Sequence, residues 1–523
     1  MRPSPLSASG LAFLLATPLI VIGCAHAMPT PRDDVWPTEA WPTSTPEEQG
    51  VSSAALAEGI EAALADGLPL HSLLVIRHGR VVLDATFHPF APGLVHDIAS
   101  CTKSITATLV GIALDRGDIP TLDRTALSYF PDRPSPVDAS QKGAITLSHL
   151  LTMTSGLACR AGPAGDLPLV LDMMASPDWA GYVLDRPMAA KPGREFTYCS
   201  PGTHLLSVIL RKATGRPARE YAQEYLFRPL GITSAQWLTD PATEDVRGWG
   251  DLAMTPADLA RIGTLYLHGG LWNGRRVLSR TFVEAATRRQ VPVRGMGPLD
   301  GYGYQWWTSS AGYFVALGRG GQVLLVVPGL DLVVVVTGEE EGPVMARKAA
   351  WLQRHVLGAV RGAAPMPPDP VGTERLAAAV ARARVGAPEA AGPVTPPPAI
   401  ARQVNGLTFR LDPNPLGLRD LSLAFAEGRP ETTLLLGRDG QPPWRVTLGL
   451  DGAWRTFPGN RGLPARGRGA WTTPDTLVAD IDEVANIGRW RVAMTFEENR
   501  VTVRIDDASG IPSTVVGGHR TAP

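Results

Sequence analysis

The sequence predicts an α+β protein: an antiparallel sheet flanked by helices, with a helical region inserted into it, followed by a C-terminal all-β sandwich or barrel. Three patterns carry that prediction. β-branched apolar runs stand at both ends of residues 51–361 with helical periodicity between them, a Pro/Ala-rich stretch then interrupts the chain, and short segments of period two follow it.

The chain opens as an export signal. Arg2 precedes an apolar stretch from Leu11 to Ile22 that is too short to span a bilayer comfortably. Val21-Ile22-Gly23-Cys24 resembles a bacterial lipobox, in which Cys24 would carry lipid and become the mature N-terminus; cleavage after Ala25-His26-Ala27 is the competing reading. Residues 1–24 are therefore read as a lipoprotein signal peptide, and either route takes the protein out of the cytoplasm. The expected location is the bacterial cell envelope, with the lipid anchor as the membrane contact. Residues 25–50, rich in Pro, Thr and Trp without periodicity, read as a tether.

The first folded domain is expected over 51–361. A helix from Ser53 to Ala65 precedes Leu73–Ile76, a His78-Gly79 turn and Val81–Leu83, which together read as a hairpin. Residues 100–290 are mostly helical. Strands return at Tyr313–Leu317, Val323–Val327 and Leu332–Val336, and a helix from Val344 to Leu357 closes the unit. A Pro/Ala-rich linker is expected over 362–399. Beyond it, over 400–518, alternation at Leu407–Leu411, Leu421–Phe425, Trp444–Leu448, Trp490–Phe496 and Val501–Ile505 predicts a second domain, an antiparallel β unit.

Composition narrows the partners. A net charge of −1 with no basic block excludes nucleic acid as an electrostatic partner and favours small molecules or peptides. Four cysteines stand at 24, 101, 159 and 199; with Cys24 lipidated, Cys159 with Cys199 is the preferred disulfide, because Cys101 belongs to a helix beside the candidate nucleophile. No metal-ligand spacing occurs, and no cofactor is implied. The oligomeric state is open.

Ser100-Cys101-Thr102-Lys103 places a hydroxyl and an amine one turn apart on a helix face. Ile105, Leu109, Ile112 and Ala113 continue that helix as a buried stripe and Gly117 ends it. The amine can take the hydroxyl's proton, and burial or the positive helix end disfavours its charged form. Two more stretches complete a constellation: Tyr198-Cys199-Ser200 and Gly318-Arg319-Gly320-Gly321-Gln322.

In that chain order the three elements resemble those of the serine beta-lactamase and penicillin-binding-protein superfamily, nearest its class C, esterase, D-aminopeptidase and 6-aminohexanoate-dimer-hydrolase branch. Leu150–Leu157, Gly248–Pro256 and Tyr302–Trp307 extend the resemblance, which runs from about Val51 to Val360. It implies the beta-lactamase-like fold. It also implies Ser100 as acylated nucleophile, Lys103 and Tyr198 as shared base and acid, and the backbone N–H groups of Ser100 and Gln322 as oxyanion hole. Ser200, Arg319, Gly320, Gly321, Trp306 and Tyr304 would line the substrate site. Two positions depart from the family: Arg319 stands where Lys or His is usual, and Ser200 replaces an Asn, so beta-lactam hydrolysis is in doubt.

His149 and His204 read as packed or capping side chains, and Gly248-Trp249-Gly250 is a weak echo of a nucleotide loop. The absence of a Gly-x-Ser-x-Gly elbow argues against a Ser-His-Asp hydrolase. The expected activity is an exported serine hydrolase cleaving an ester or amide of a small acyl compound or a peptidoglycan-like peptide. The alternative is a non-turnover envelope protein that binds a cell-wall peptide or beta-lactam.

Overall fold

The computed structural model describes residues 36–133, 139–159, 166–339, 343–387, 391–392, 396–425, 428–438, 441–459, 462–507 and 513–521. The signal peptide and Cys24 lie outside the described residues. The chain divides into two compact units near Arg384.

The first unit is built on an eight-stranded antiparallel sheet whose strands, among the described residues, come from both ends of the unit. In chain order they are β1 (Leu70–Arg77), β2 (Arg80–Thr86), β3 (Val291–Pro292), β4 (Gly301–Tyr302), β5 (Trp307–Ser309), β6 (Tyr313–Gly318), β7 (Gln322–Val327) and β8 (Leu332–Gly338). Across the sheet the order is β2-β1-β8-β7-β6-β5-β4-β3, so β1 pairs directly with β8 some 260 residues later, Leu73 opposite Val336. Pairing the two ends leaves the helical stretch between them as an insertion.

Strand alternation sorts the central side chains into two cores. Leu74, Ile76, Val333 and Val335 face the inserted helices, α2 (Thr102–Asp115), α3 (Ser200–Thr214) and α4 (Pro256–Leu267). Leu73, Val75, Val334 and Val336 face α1 (Ser53–Ala65), α5 (Pro343–Trp351) and α6 (Pro370–Val385). The helix α1 starts on Ser52, whose hydroxyl caps Ala55 N at 3.2 Å. Twelve of the fourteen residues of α2 are buried, which is why a lysine on it loses water altogether.

Two domain boundaries differ from the sequence expectation. Residues 36–50 are not a free tether: Trp36 and Trp41 pack on the core, Trp41 Nε1 donates to the Ala257 carbonyl at 3.2 Å, and Arg261 Nε donates to the Pro37 carbonyl at 2.8 Å. Tryptophan burial outweighs the lack of periodicity. The segment read as linker contains α6, whose Leu376, Ala379 and Ala383 are buried against the second core. Small alanines at helical spacing mimic low complexity there.

The second unit is a closed barrel of nine strands among the described residues: β9 (Thr408–Leu411), β10 (Leu418–Phe425), β11 (Glu431–Arg438), β12 (Gln441–Gly449), β14 (Pro464–Trp471), β15 (Thr476–Asp482), β16 (Arg489–Glu497), β17 (Arg500–Asp507) and β18 (Thr514–Arg520), with β13 (Arg455–Pro458) paired to β14 outside the ring. A parallel bridge between Gly449 and Arg468 closes the ring. Glycine is required at this seam, since a Cβ on Gly467 would lie 2.5 Å from the Thr447 carbonyl oxygen. Leu421, Leu434, Val446, Leu448, Leu477, Ile481, Met494 and Val503 fill the interior.

Candidate active site

Ser100 sits in a single 3-10 turn, Ala99–Cys101, that runs straight into α2. The turn is held from upstream: Ile98 N donates to the Leu252 carbonyl at 2.9 Å, and Ala99 N donates to the buried Asp97 carboxylate at 2.7 Å. Ala99 has φ +46°, a left-handed conformation that costs energy for a residue with a Cβ. That strain sits immediately before the hydroxyl.

One turn on, Lys103 Nζ lies 2.8 Å from Ser100 Oγ and 2.8 Å from the Trp249 carbonyl oxygen. The carbonyl can only accept, so the amine donates to it and turns its remaining capacity toward Ser100. Lys103 is 1% exposed. Burial brings its pKa down to about 8, against the opposing pull of Asp166, Cys101 and Asp251. An amine so placed is substantially neutral at mildly alkaline pH.

Tyr198 approaches Ser100 from the segment leading into α3. Its ring lies 4.9 Å from Lys103 Nζ and stacks on Trp307 with centroids 6.0 Å apart and planes 15° from parallel. Burial first, then the Asp166 charge, push the phenol above its ordinary range, while the nearby Ser100 hydroxyl opposes them. The phenol therefore keeps its proton, and of the two partners of Ser100 the lysine is the one able to accept a proton.

The hairpin between β6 and β7 brings the third element alongside. Gly318 and Gln322 face each other across its base, with Gly320 and Gly321 at φ +80° and +76°. A Cβ on Gly318 would lie 2.6 Å from the Ile98 carbonyl oxygen, so glycine is what lets the hairpin close on the nucleophile turn. Cys101 Sγ is 3.7 Å from the Gln322 carbonyl. The Gln322 side chain is locked into the sheet: Nε2 donates to the Gly338 carbonyl at 2.6 Å and Oε1 accepts from Gly338 N at 3.2 Å. The fixed side chain anchors the backbone beside Ser100.

The remaining residues expected around substrate divide. Arg319 is exposed on the hairpin, and Ser200 is buried at the start of α3, where its N–H donates to Asp166 Oδ2 at 2.5 Å. Trp306 does not line the site: it is fully buried between Tyr266 and Phe314, at 4.7 and 5.2 Å between centroids. Tyr304 packs on Phe282 at 5.6 Å instead. Their neighbour Trp307, the first residue of β5, is the aromatic that meets Tyr198. Cys159 and Cys199 are joined as a disulfide, and Cys101 is free and buried.

His149 closes a capping box with Thr146. His204 lies against Trp179 and Trp249, with burial taking its pKa down to about 4. Sequence reading missed Asp166, the Trp249 carbonyl and Trp307. Only Trp307 left a signal, namely its place beside Trp306; a carbonyl has no side-chain signature and Asp166 sits in no recognisable motif.

The Beta-lactamase family model matches residues 56–358. The 6-aminohexanoate-dimer hydrolase of Paenarthrobacter ureafaciens is 27% identical over 289 residues, covering 50% of this chain and 71% of that protein. Penicillin-binding protein 4 of Amycolatopsis lactamdurans is 28% identical over 361 residues, covering 57% of this chain and 90% of that protein. A solved penicillin-binding protein homologue from Caulobacter crescentus is 19% identical with a TM-score of 0.47, covering 59% of this chain and 97% of that one.

Proposed function

The chain belongs to the Beta-lactamase family and is a serine hydrolase related to beta-lactamases, and from that premise we propose that it cleaves an ester or amide through an acyl-enzyme on Ser100. The observation that carries the reading is the 2.8 Å contact between Ser100 Oγ and a lysine whose pKa burial brings down to about 8.

The steps follow from which group can hold a proton. Ser100 Oγ attacks the carbonyl carbon as its proton passes to Lys103, and the carbonyl oxygen becomes an oxyanion received by the backbone N–H groups of Ser100 and Gln322. The intermediate collapses, breaking the bond to the leaving alcohol or amine. Tyr198 supplies the leaving group's proton and is reprotonated from Lys103. Water then attacks the acyl carbon, losing its proton to Lys103, and collapse returns a proton to Ser100 Oγ and releases the acid.

The substrate class we propose is a small acyl compound or a peptidoglycan-like peptide. Trp307 and Phe196, with ring centroids 5.7 Å apart beside Tyr198, offer an apolar wall, and Arg319 on the hairpin offers a fork for a carboxylate. Ser200 lacks the amide donor and acceptor of the Asn usual at its position, which argues against efficient beta-lactam turnover. We also propose export as a lipoprotein anchored through Cys24, supported by the leader sequence.

A fluorophosphonate probe and a p-nitrophenyl ester assay test the reaction. Labelling and turnover that both vanish in Ser100→Ala are expected; an inert wild type that resists labelling would overturn the proposal. Radiolabelled palmitate incorporation lost in Cys24→Ser tests the anchor, and retention of label would exclude it.

A further inference from the structure

Tyr198 has no regular structure of its own. Residues 195–199 are neither helix nor strand, so no ladder of backbone bonds fixes the phenol against Ser100. Its position comes from neighbours on both sides. Thr197 N donates to the Met153 carbonyl at 2.8 Å, Cys199 is bonded to Cys159, and Ser200 N donates to Asp166 Oδ2 at 2.5 Å. Cys199 N reaches Met153 Sδ at 3.2 Å as well. Residues 197, 199 and 200 are thus each held by a partner between 153 and 166, and the tie directly after Tyr198 is covalent.

Both cysteines are buried, at 1% and 3% exposure, inside the core that also contains Met153 and Leu150. Burial by the core stabilises the fold there whether or not the sulfurs are joined. The bond adds something different. It removes the freedom of the residue next to the catalytic phenol, and misplacing a reacting group by an ångström can cost about a hundredfold in rate.

We propose that the Cys159–Cys199 disulfide is a positioning element of the catalytic site, setting Tyr198 against Ser100 so that turnover depends on the oxidised state. This rests on the acyl-enzyme reading of Ser100. Opening the bond leaves Ser100, Lys103 and the hairpin in place and loosens only the segment that carries the phenol. The effect falls on kcat and on acylation at Ser100 more than on substrate binding, to which the same segment contributes only Phe196.

The test compares three forms of the full chain: oxidised wild type, wild type reduced by a water-soluble phosphine, and the double variant Cys159→Ala with Cys199→Ala. In the reduction the phosphine supplies two electrons and water two protons, giving two thiols and a phosphine oxide. With p-nitrophenyl ester as substrate, kcat should fall about ten- to hundredfold in both disulfide-free forms while KM stays within about threefold. Near-UV circular dichroism at the assay temperature should keep its folded signature, and reoxidation of the reduced wild type should restore kcat. Unchanged kcat in a disulfide-free form, or a loss that only tracks the unfolded fraction, would overturn the inference. An oxidised wild type that neither turns over nor labels at Ser100 would instead sink the acyl-enzyme reading itself.

Discussion

The two units of this chain bury different things. In the first, Lys103, His96, His204, Asp97, Gln305 and Gln322 are each at most 2% exposed. The barrel interior is mostly aliphatic and aromatic, with Leu421, Leu434, Val446, Leu477 and Met494 at zero exposure, and its buried Asp482 is paired with Arg466. Removing polar groups from water costs free energy unless each finds a partner, whereas apolar packing returns it. The first unit therefore spends part of its stability on fixed polar atoms, which catalysis needs. The filled barrel puts burial into stability. Substitutions should separate the two accordingly, activity falling without stability in one unit and stability without chemistry in the other.

The sharpest separation is expected at Lys103. Lys103→Met should lower kcat/KM by about a thousandfold or more, as expected for losing the base. Stability should not fall with it. Burial takes the folded pKa from 10.5 to about 8, so below pH 8 the folded chain carries a disfavoured charge worth about 3 kcal/mol. The unfolded state binds more protons between those values, so this term makes stability rise with pH from about 8 to 10.5. Losing the bonds to Ser100 and the Trp249 carbonyl offsets part of the gain, leaving Lys103→Met about 1 kcal/mol more stable than wild type at pH 7. Thermal melts and ester assays on the same preparation check both halves. In the wild type kcat/KM should climb with pH through about 8, since the neutral amine is the active form; a rate flat from pH 6 to 9 would contradict the assignment.

Acid should strike the two units unequally. His96 and His204 are buried and held neutral, with pKa values brought down from 6.5 to about 4 by burial. Depressed values mean that their contribution is complete above pH 6.5 and disappears as pH falls to 4, about 3 kcal/mol for each ring. Their sum approaches the whole stability of a typical domain. The barrel has no buried histidine among the described residues. Hydrogen exchange followed by mass spectrometry between pH 7 and 4 should show protection lost first in peptides of the catalytic unit. The reciprocal experiment is Leu434→Ala, which opens a cavity in the barrel and should cost about 3 kcal/mol by calorimetry while kcat stays at the wild-type value. A drop in kcat at intact fold would show that the barrel takes part in the chemistry.

What could be read from sequence follows the same division. The pairing of the two chain ends into one sheet was visible because β1, β7 and β8 each carry an unbroken apolar run, Leu73–Ile76, Val323–Val327 and Leu332–Val336, and the helix read over Ser53–Ala65 is α1. Two of the three stretches that meet at the candidate site were legible because a hydroxyl, an amine and a phenol leave side-chain signatures, and the third because of its glycines. Groups that act through the backbone, such as the Trp249 carbonyl, leave none. In the barrel, β14 escaped notice because its inward positions are Ala465, Gly467 and Gly469, small residues chosen by the closing seam, which erase the hydrophobic alternation a strand normally shows. Trp306 was misassigned because an aromatic cluster announces burial or a cleft equally well.

The smallest effect should come from charge alone. Asp166 draws the lysine's pKa up against burial and also raises the Tyr198 phenol. In Asp166→Asn the amide oxygen can still accept from Ser200 N, so the tie is preserved while the negative charge disappears. Both effects then relax in the same direction: Lys103 loses a proton more readily, and so does Tyr198. The acid limb of kcat/KM, set by Lys103, should move to lower pH, while the phenol stays protonated across the assay range. The matched control is Asp480→Asn, which removes a carboxylate paired with Arg468 on the barrel and should leave that limb in place. An acid limb that stayed put in the Asp166 variant would mean that this carboxylate does not act on Lys103, and the view of the lysine as the group that sets the limb would have to be given up.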